Sequence, residues 1–111
     1  MDKLTLYREI VRRLVEEYAS EKPPDRDVDT YAMIDVERDH YIAMQTGWVN
    51  RHRVHGAFLH IDIIGEKVWI QFNGTDRQIA SELVAAGVPK GDIVLAEKPV
   101  EVRQYTGYGV G

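Results

Sequence analysis

The chain has 111 residues, 44% hydrophobic and 29% charged, which is the balance of one ordinary globular domain with a single core and argues against disorder or a disulfide framework. It contains no cysteine, which excludes a thiol nucleophile, cysteine-ligated zinc and iron–sulfur clusters and fits a reducing compartment. The net charge of −4 opposes unaided binding to a phosphate backbone; with no signal pattern at Met1-Asp2-Lys3-Leu4 and no apolar run near the ~20 residues a bilayer requires, a cytoplasmic location is expected.

Leu4, Tyr7, Val11, Leu14 and Tyr18 recur at three- and four-residue steps, flanked by Ile10 and Val15, and predict an amphipathic helix with Asp2 as its N-cap. Glu9 to Arg13 and Arg12 to Glu16 have the spacing of weak surface ion pairs. A polar loop from Ser20 to Asp27, carrying Pro23-Pro24, is expected to end the helix.

From Val28 the period becomes two. Val28, Thr30, Ala32, Ile34 and Val36 alternate with Asp29, Tyr31, Met33 and Asp35, and the charged turn Glu37-Arg38-Asp39-His40 leads into a second strand, Tyr41 to Trp48. In that strand Ile42, Met44, Thr46 and Trp48 share a side. After the polar stretch Asn50-Arg51-His52-Arg53, Leu59, Ile61 and Ile63 alternate with Phe58, His60 and Asp62. A tight turn at Gly65-Glu66 precedes a fourth strand, with Val68, Ile70 and Phe72 facing the core and Lys67, Trp69 and Gln71 facing away.

Thr75 and Gln78 form a capping-box pattern for a second helix, Asp76 to Ala86, which Gly87 and Pro89 end. Ile93-Val94-Leu95 reads as a short last strand, and the tail beyond Pro99 alternates weakly. Residues 1–111 thus predict a single α+β domain, an antiparallel meander of four or five strands with two helices on one face.

The segments Asp35-Val36-Glu37-Arg38-Asp39-His40-Tyr41, Gly47-Trp48, Arg53-Val54-His55-Gly56 and Lys67-Val68-Trp69-Ile70-Gln71 together resemble the XisI family. Tyr7-Arg8-Glu9-Ile10, Gly74-Thr75-Asp76 and Gly87-Val88-Pro89-Lys90-Gly91-Asp92-Ile93-Val94-Leu95 resemble it as well, in the family's order. The ending Tyr105-Thr106-Gly107-Tyr108-Gly109-Val110-Gly111 is similar but carries glycines where alanines are commoner. The resemblance implies an XisI-like domain and a cyanobacterial-type factor that controls excision of a chromosomal DNA element during heterocyst differentiation, beside a recombinase and an XisH-type companion. It brings no catalytic residue.

His52, His55, His60 and Asp62 form the most metal-like group, yet on a strand His52 and His55 point to opposite faces and only His60 and Asp62 share one. The expectation is a hydrogen-bonded histidine and no metal or other cofactor. Asp62 with Glu66-Lys67 approaches a nuclease pattern and fails it, because adjacent strand residues face opposite ways. Ser20 and Ser81 have no evident base, so no recombinase chemistry and no enzyme is expected.

Arg51, His52, Arg53 and His55 concentrate positive charge in one loop beside Trp48, where they are either a solvated loop or a contact for phosphates or an acidic protein surface. Tyr31, Met33 and Trp69, with Tyr41 as a further candidate, are expected on the sheet face opposite the helices, as an interface would be. Either the C-terminal tail covers Trp69, or a second copy of the chain or another protein does.

Three functions follow in order. The first is an accessory protein that binds an XisH-type partner through Tyr31, Trp48, Arg51, Arg53, His55, Trp69, Tyr105 and Tyr108 and so controls a DNA-rearranging activity. The second is direct DNA binding through Arg51–His55 and Arg12-Arg13. The third is an enzyme that uses His60 and Asp62.

Overall fold

The computed structural model describes residues 2–21, 23 and 27–111. Most of the expected loop from Ser20 to Asp27 lies outside the described residues, and Ser20 itself closes the first helix.

Helix α1 spans Lys3–Ser20 and starts where Asp2 accepts a hydrogen bond from the Thr5 amide at 2.8 Å, satisfying one of the free N–H groups of the first turn. Its buried side is Tyr7, Val11, Val15, Tyr18 and Ala19, so Val15 holds the centre of the stripe while Leu14 moves to its margin. Arg12 pairs with Glu16 at 3.0 Å as the spacing predicts.

Strands β1 (Val28–Asp35), β2 (His40–Val49), β3 (His52–Ile64) and β4 (Lys67–Asn73) form the antiparallel meander, and β5 (Ile93–Leu95) adds to β4 in parallel. A wholly antiparallel sheet is therefore corrected at its last strand. The path from β4 through helix α2 (Ile79–Ala86) and a 3-10 turn at Lys90–Asp92 is a crossover, which returns the chain in the direction of β4.

Two hairpins close on two-residue turns with positive φ at both positions, Asn50-Arg51 and Gly65-Glu66. Such turns match the right-handed twist of the flanking strands. The loop expected over Arg51–His55 is accordingly only a turn, and His52, Arg53 and His55 already belong to β3.

Two bulges change which side chains face inward. Ala43 pairs with Leu59 and Met44 with Ala57, so Phe58 is the extra residue of β3 and packs toward the core instead of away from it. His60 pairs with Phe72 and Ile61 with Ile70, so Gln71 is extra in β4 and Phe72 is turned out to solvent. Val36, expected inside, lies exposed in the turn after β1. Tyr41, a candidate for the outer face, is instead buried in the core.

Helix α2 begins three residues later than expected. The Asn73 side-chain oxygen accepts from the Thr75 amide (2.9 Å) and hydroxyl (2.6 Å), and its amide donates to the Arg77 carbonyl. Thr75 is thereby held in an Asx-type turn rather than capping a helix. The end is as read, with Gly87 left-handed at φ 120° and Pro89 following.

Tyr7, Val11 and Val15 of α1, Ile79 and Leu83 of α2, and Tyr41, Leu59, Ile61, Val68, Ile70 and Ile93 of the sheet make one core. Burial of each such Val, Leu or Ile contributes about 1.5–3 kcal/mol. Polar anchors fix α1 over it: Arg8 forks onto Asp39 at 2.9 and 3.0 Å, Tyr7 donates to Asp92, and Tyr18 donates to Glu82 at 2.6 Å. The tail forms a third short helix, α3 (Val100–Arg103), and then runs beside β5, where the Gly109 amide donates to the Ile93 carbonyl at 2.7 Å. A side chain at Gly109 would meet the Gly91 carbonyl oxygen at 2.6 Å, which explains a glycine there.

Candidate functional site

The sheet face away from the helices carries the residues of interest in rows, because directly paired residues of neighbouring strands point the same way. One row runs Tyr31, Met44, Ala57; the next Met33, Ile42, His60, Phe72; a third Asp35, His40, Asp62, Trp69. Trp48 pairs with Arg53 at the far end of the β2–β3 hairpin. Beyond Leu59 toward that end, β3 pairs with β2 and has no β4 partner, so among the described residues its edge from His52 to Ala57 is open.

Asp62 is the centre of the third row. It is the one charged side chain buried among the described residues, at 6% exposure. Its Oδ1 accepts from His40 Nδ1 and His60 Nε2, each at 2.8 Å, and its Oδ2 accepts from the Gln71 amide at 3.1 Å. An ionised carboxylate only accepts, so both imidazoles turn N–H groups toward it. The bond to Asp62 also holds His40 charged to a higher pH than an ordinary histidine, aided by the negative charge of Asp35. Beside this cluster a depression of about 410 Å³ is lined by Met33, Ile34, Asp35, His40, Ile42 and His60.

His60 and Asp62 share a face as their spacing predicts, but His40 and Gln71 were not legible as their partners. A regular hairpin closed at Asn50-Arg51 would set His40 opposite Ile61, on the wrong face. The bulge at Phe58 moves it opposite Asp62. His52 and His55 take no part.

The other candidate residues divide by exposure. Tyr31 (41%) and Trp48 (52%) are open on the outer face, and the Arg53 guanidinium lies 5.5 Å from the Trp48 ring centroid, a cation–π contact. Arg51 and His55 are exposed at the same end. Trp69 is covered by the tail: Arg103 stands 5.5 Å over its ring, Gly111 packs against it, and Lys67 donates to the Gly111 carbonyl at 3.1 Å. Tyr105 is almost wholly exposed, whereas Tyr108 is half-buried against the core with Lys90 near its ring. Ser20 and Ser81 lie on α1 and α2 with no histidine beside them among the described contacts.

A family model described as XisI protein matches residues 1–110. The chain belongs to the XisI family. Its fold matches the crystal structure of a XisI-like protein from Anabaena variabilis ATCC 29413 with a TM-score of 0.91 and 44% identity, over 97% of this chain and 99% of that one. It also matches the fdxN element excision controlling factor XisI of the same organism with a TM-score of 0.83 and 31% identity, over 99% and 100% of the two chains. Comparison with curated proteins finds no match. No helix among the described residues is long and apolar enough to cross a membrane.

Proposed function

We propose that this chain is a non-catalytic control protein of DNA-element excision that acts by binding a protein partner of the XisH type. Its 31% identical relative is described as an excision controlling factor, which supports the control role. The observation that carries the binding mode is the outer end of the β2–β3 hairpin. There the exposed Trp48, stacked by Arg53, stands on the same face as Tyr31, opposite α1 and α2, beside an open strand edge. Aromatic and arginine side chains at such a place are the usual anchors of protein interfaces, and an open edge offers unpaired backbone donors and acceptors.

Co-expression with an XisH-type protein tests the reading. The two chains should co-elute at micromolar concentration, and Trp48→Ala or Arg53→Ala should weaken the complex by more than about 1 kcal/mol without changing the fold. Separate elution of the wild-type pair refutes it.

A second reading, direct DNA binding, is favoured by one observation: Arg51, His52, Arg53 and His55 are all exposed at one corner of a chain whose net charge is −4. It requires a gel shift at low salt that falls steeply as salt rises and is lost in the Arg51→Ala/Arg53→Ala variant. Absence of a shift with and without the partner removes it.

A further inference from the structure

The charge of Asp62 has no lysine or arginine partner among the described residues; its ion-pair partners are both histidines. With both imidazoles in their neutral form the buried carboxylate is met only by neutral N–H donors, which is costly, because its charge is desolvated without being neutralised. A cation at that point would remove the cost, either as a proton on an imidazole or as a metal ion.

The arrangement of the donor atoms suits the metal ion as well as the proton. Two imidazole nitrogens converge on the same carboxylate oxygen, and the three ligand atoms all lie within 4.8 Å of one another. The ligand–ligand edge of a tetrahedral zinc site is about 3.3 Å, given metal–ligand distances near 2.0–2.1 Å. The two N···O separations of 2.8 Å are shorter than that edge, so an ion enters as the two partly exposed rings turn outward. Imidazole nitrogens and a carboxylate oxygen are a donor set suited to zinc and other divalent transition metals. Gln71 holds the other carboxylate oxygen at 3.1 Å, the orienting contact that metal-bound carboxylates receive from the residues behind them. The ring planes of His40 and His60 stand 69° apart, and the neighbouring depression leaves space for a further ligand such as water.

We propose that His40, His60 and Asp62 form a divalent transition-metal site, with zinc as its best-fitting ion, that ties β2 to β3 on the outer face of the sheet. The site binds through His40 Nδ1, His60 Nε2 and the Asp62 carboxylate, with water completing the coordination; each imidazole presents a lone pair to the ion by carrying its proton on the opposite ring nitrogen, any second proton going to solvent. It is independent of the partner-binding residues at the hairpin end.

The test uses the full chain without a histidine tag, stripped with chelator and then titrated with zinc chloride, with calorimetry and thermal unfolding as readouts. One zinc per chain should bind saturably and raise the midpoint of unfolding. His40→Gln, whose side chain is half exposed and which should leave the fold intact by circular dichroism, should lose more than about tenfold in affinity, and Gln71→Leu about tenfold. His52→Gln and His55→Gln should bind as the wild type does. Cobalt(II) in place of zinc should give a visible absorption band that His60→Gln abolishes. No saturable binding to the wild type overturns the proposal, as does binding that survives His40→Gln and His60→Gln together or that disappears in His52→Gln.

Discussion

His40 stands directly across the ladder from Asp62, with its Nδ1 at 2.8 Å from the carboxylate, because one residue, Phe58, is bulged out of β3 between Ala57 and Leu59. Each β-residue of register moves every side chain to the opposite face, so the bulge converts a mismatched pair into a facing one. The same displacement drops the Phe58 ring toward the core.

Replacement of Asp62 by alanine leaves three N–H donors, on His40, His60 and Gln71, without their acceptor. The expected loss of stability is about 1–3 kcal/mol, read from urea unfolding, and is larger than that of His55→Ala, which should stay within about 0.5 kcal/mol.

The Arg8 fork, with help from the Tyr41 hydroxyl, holds the Asp39 carboxyl below its ordinary value of 3.8, although burial works the other way. A depressed folded-state value means that the stabilisation is complete above the unfolded value and is lost as pH falls from about 4 through the folded one. Acid unfolding of Arg8→Met should therefore begin at a higher pH than that of the wild type, which a pH titration followed by circular dichroism measures.

Tyrosines set the alkaline limit in the opposite sense. Burial, and then donation to Asp92 and Asp39 respectively, push the Tyr7 and Tyr41 hydroxyls up to about 12 from 10.0. The unfolded chain gives up these protons first, so the contribution is whole below pH 10 and falls away between 10 and about 12. Stability measured across that range should drop, and Tyr41→Phe should flatten the drop while costing about 1 kcal/mol at neutral pH through the lost hydrogen bond.

Gly109→Val should dislodge the tail, since the Gly91 carbonyl stands 2.6 Å from where its Cβ would be. Release of the tail uncovers Trp69, which a red shift of tryptophan emission reports in a Trp48→Phe background. Emission unchanged in that background means that the tail tolerates the side chain.

Periodicity carried the helix stripe of Tyr7, Val11 and Tyr18, the alternation of Leu59, Ile61 and Ile63, and the Gly87–Pro89 stop, because in each the local rule and the tertiary need coincide. The bulges at Phe58 and Gln71 left no mark, since an extra Phe or Gln in a strand looks like any other strand residue and the inserted position shows only once partners are paired. That concealed the tie of His40 to Asp62 and exchanged the sides of Phe58 and Phe72. The Asn50-Arg51 turn was hidden for a different reason: Arg at φ 67° lacks the glycine by which such turns are usually recognised. Thr75 and Gln78 satisfied the helix-start pattern, but the nearer Asn73 side chain took Thr75 first.

The order of strands in the sheet, β1-β2-β3-β4-β5, is the order in the chain. β2, β3 and β4 can each pair with the preceding strand through a hairpin before any distant contact is made, so little loop-closure entropy opposes the early steps of folding. The parallel addition of β5 is the exception, because it waits for α2 to cross over the core. Folding should thus proceed as a growing meander that α1 and then the β5 crossover lock, with the register at Asp62 fixed while the ribbon is still assembling.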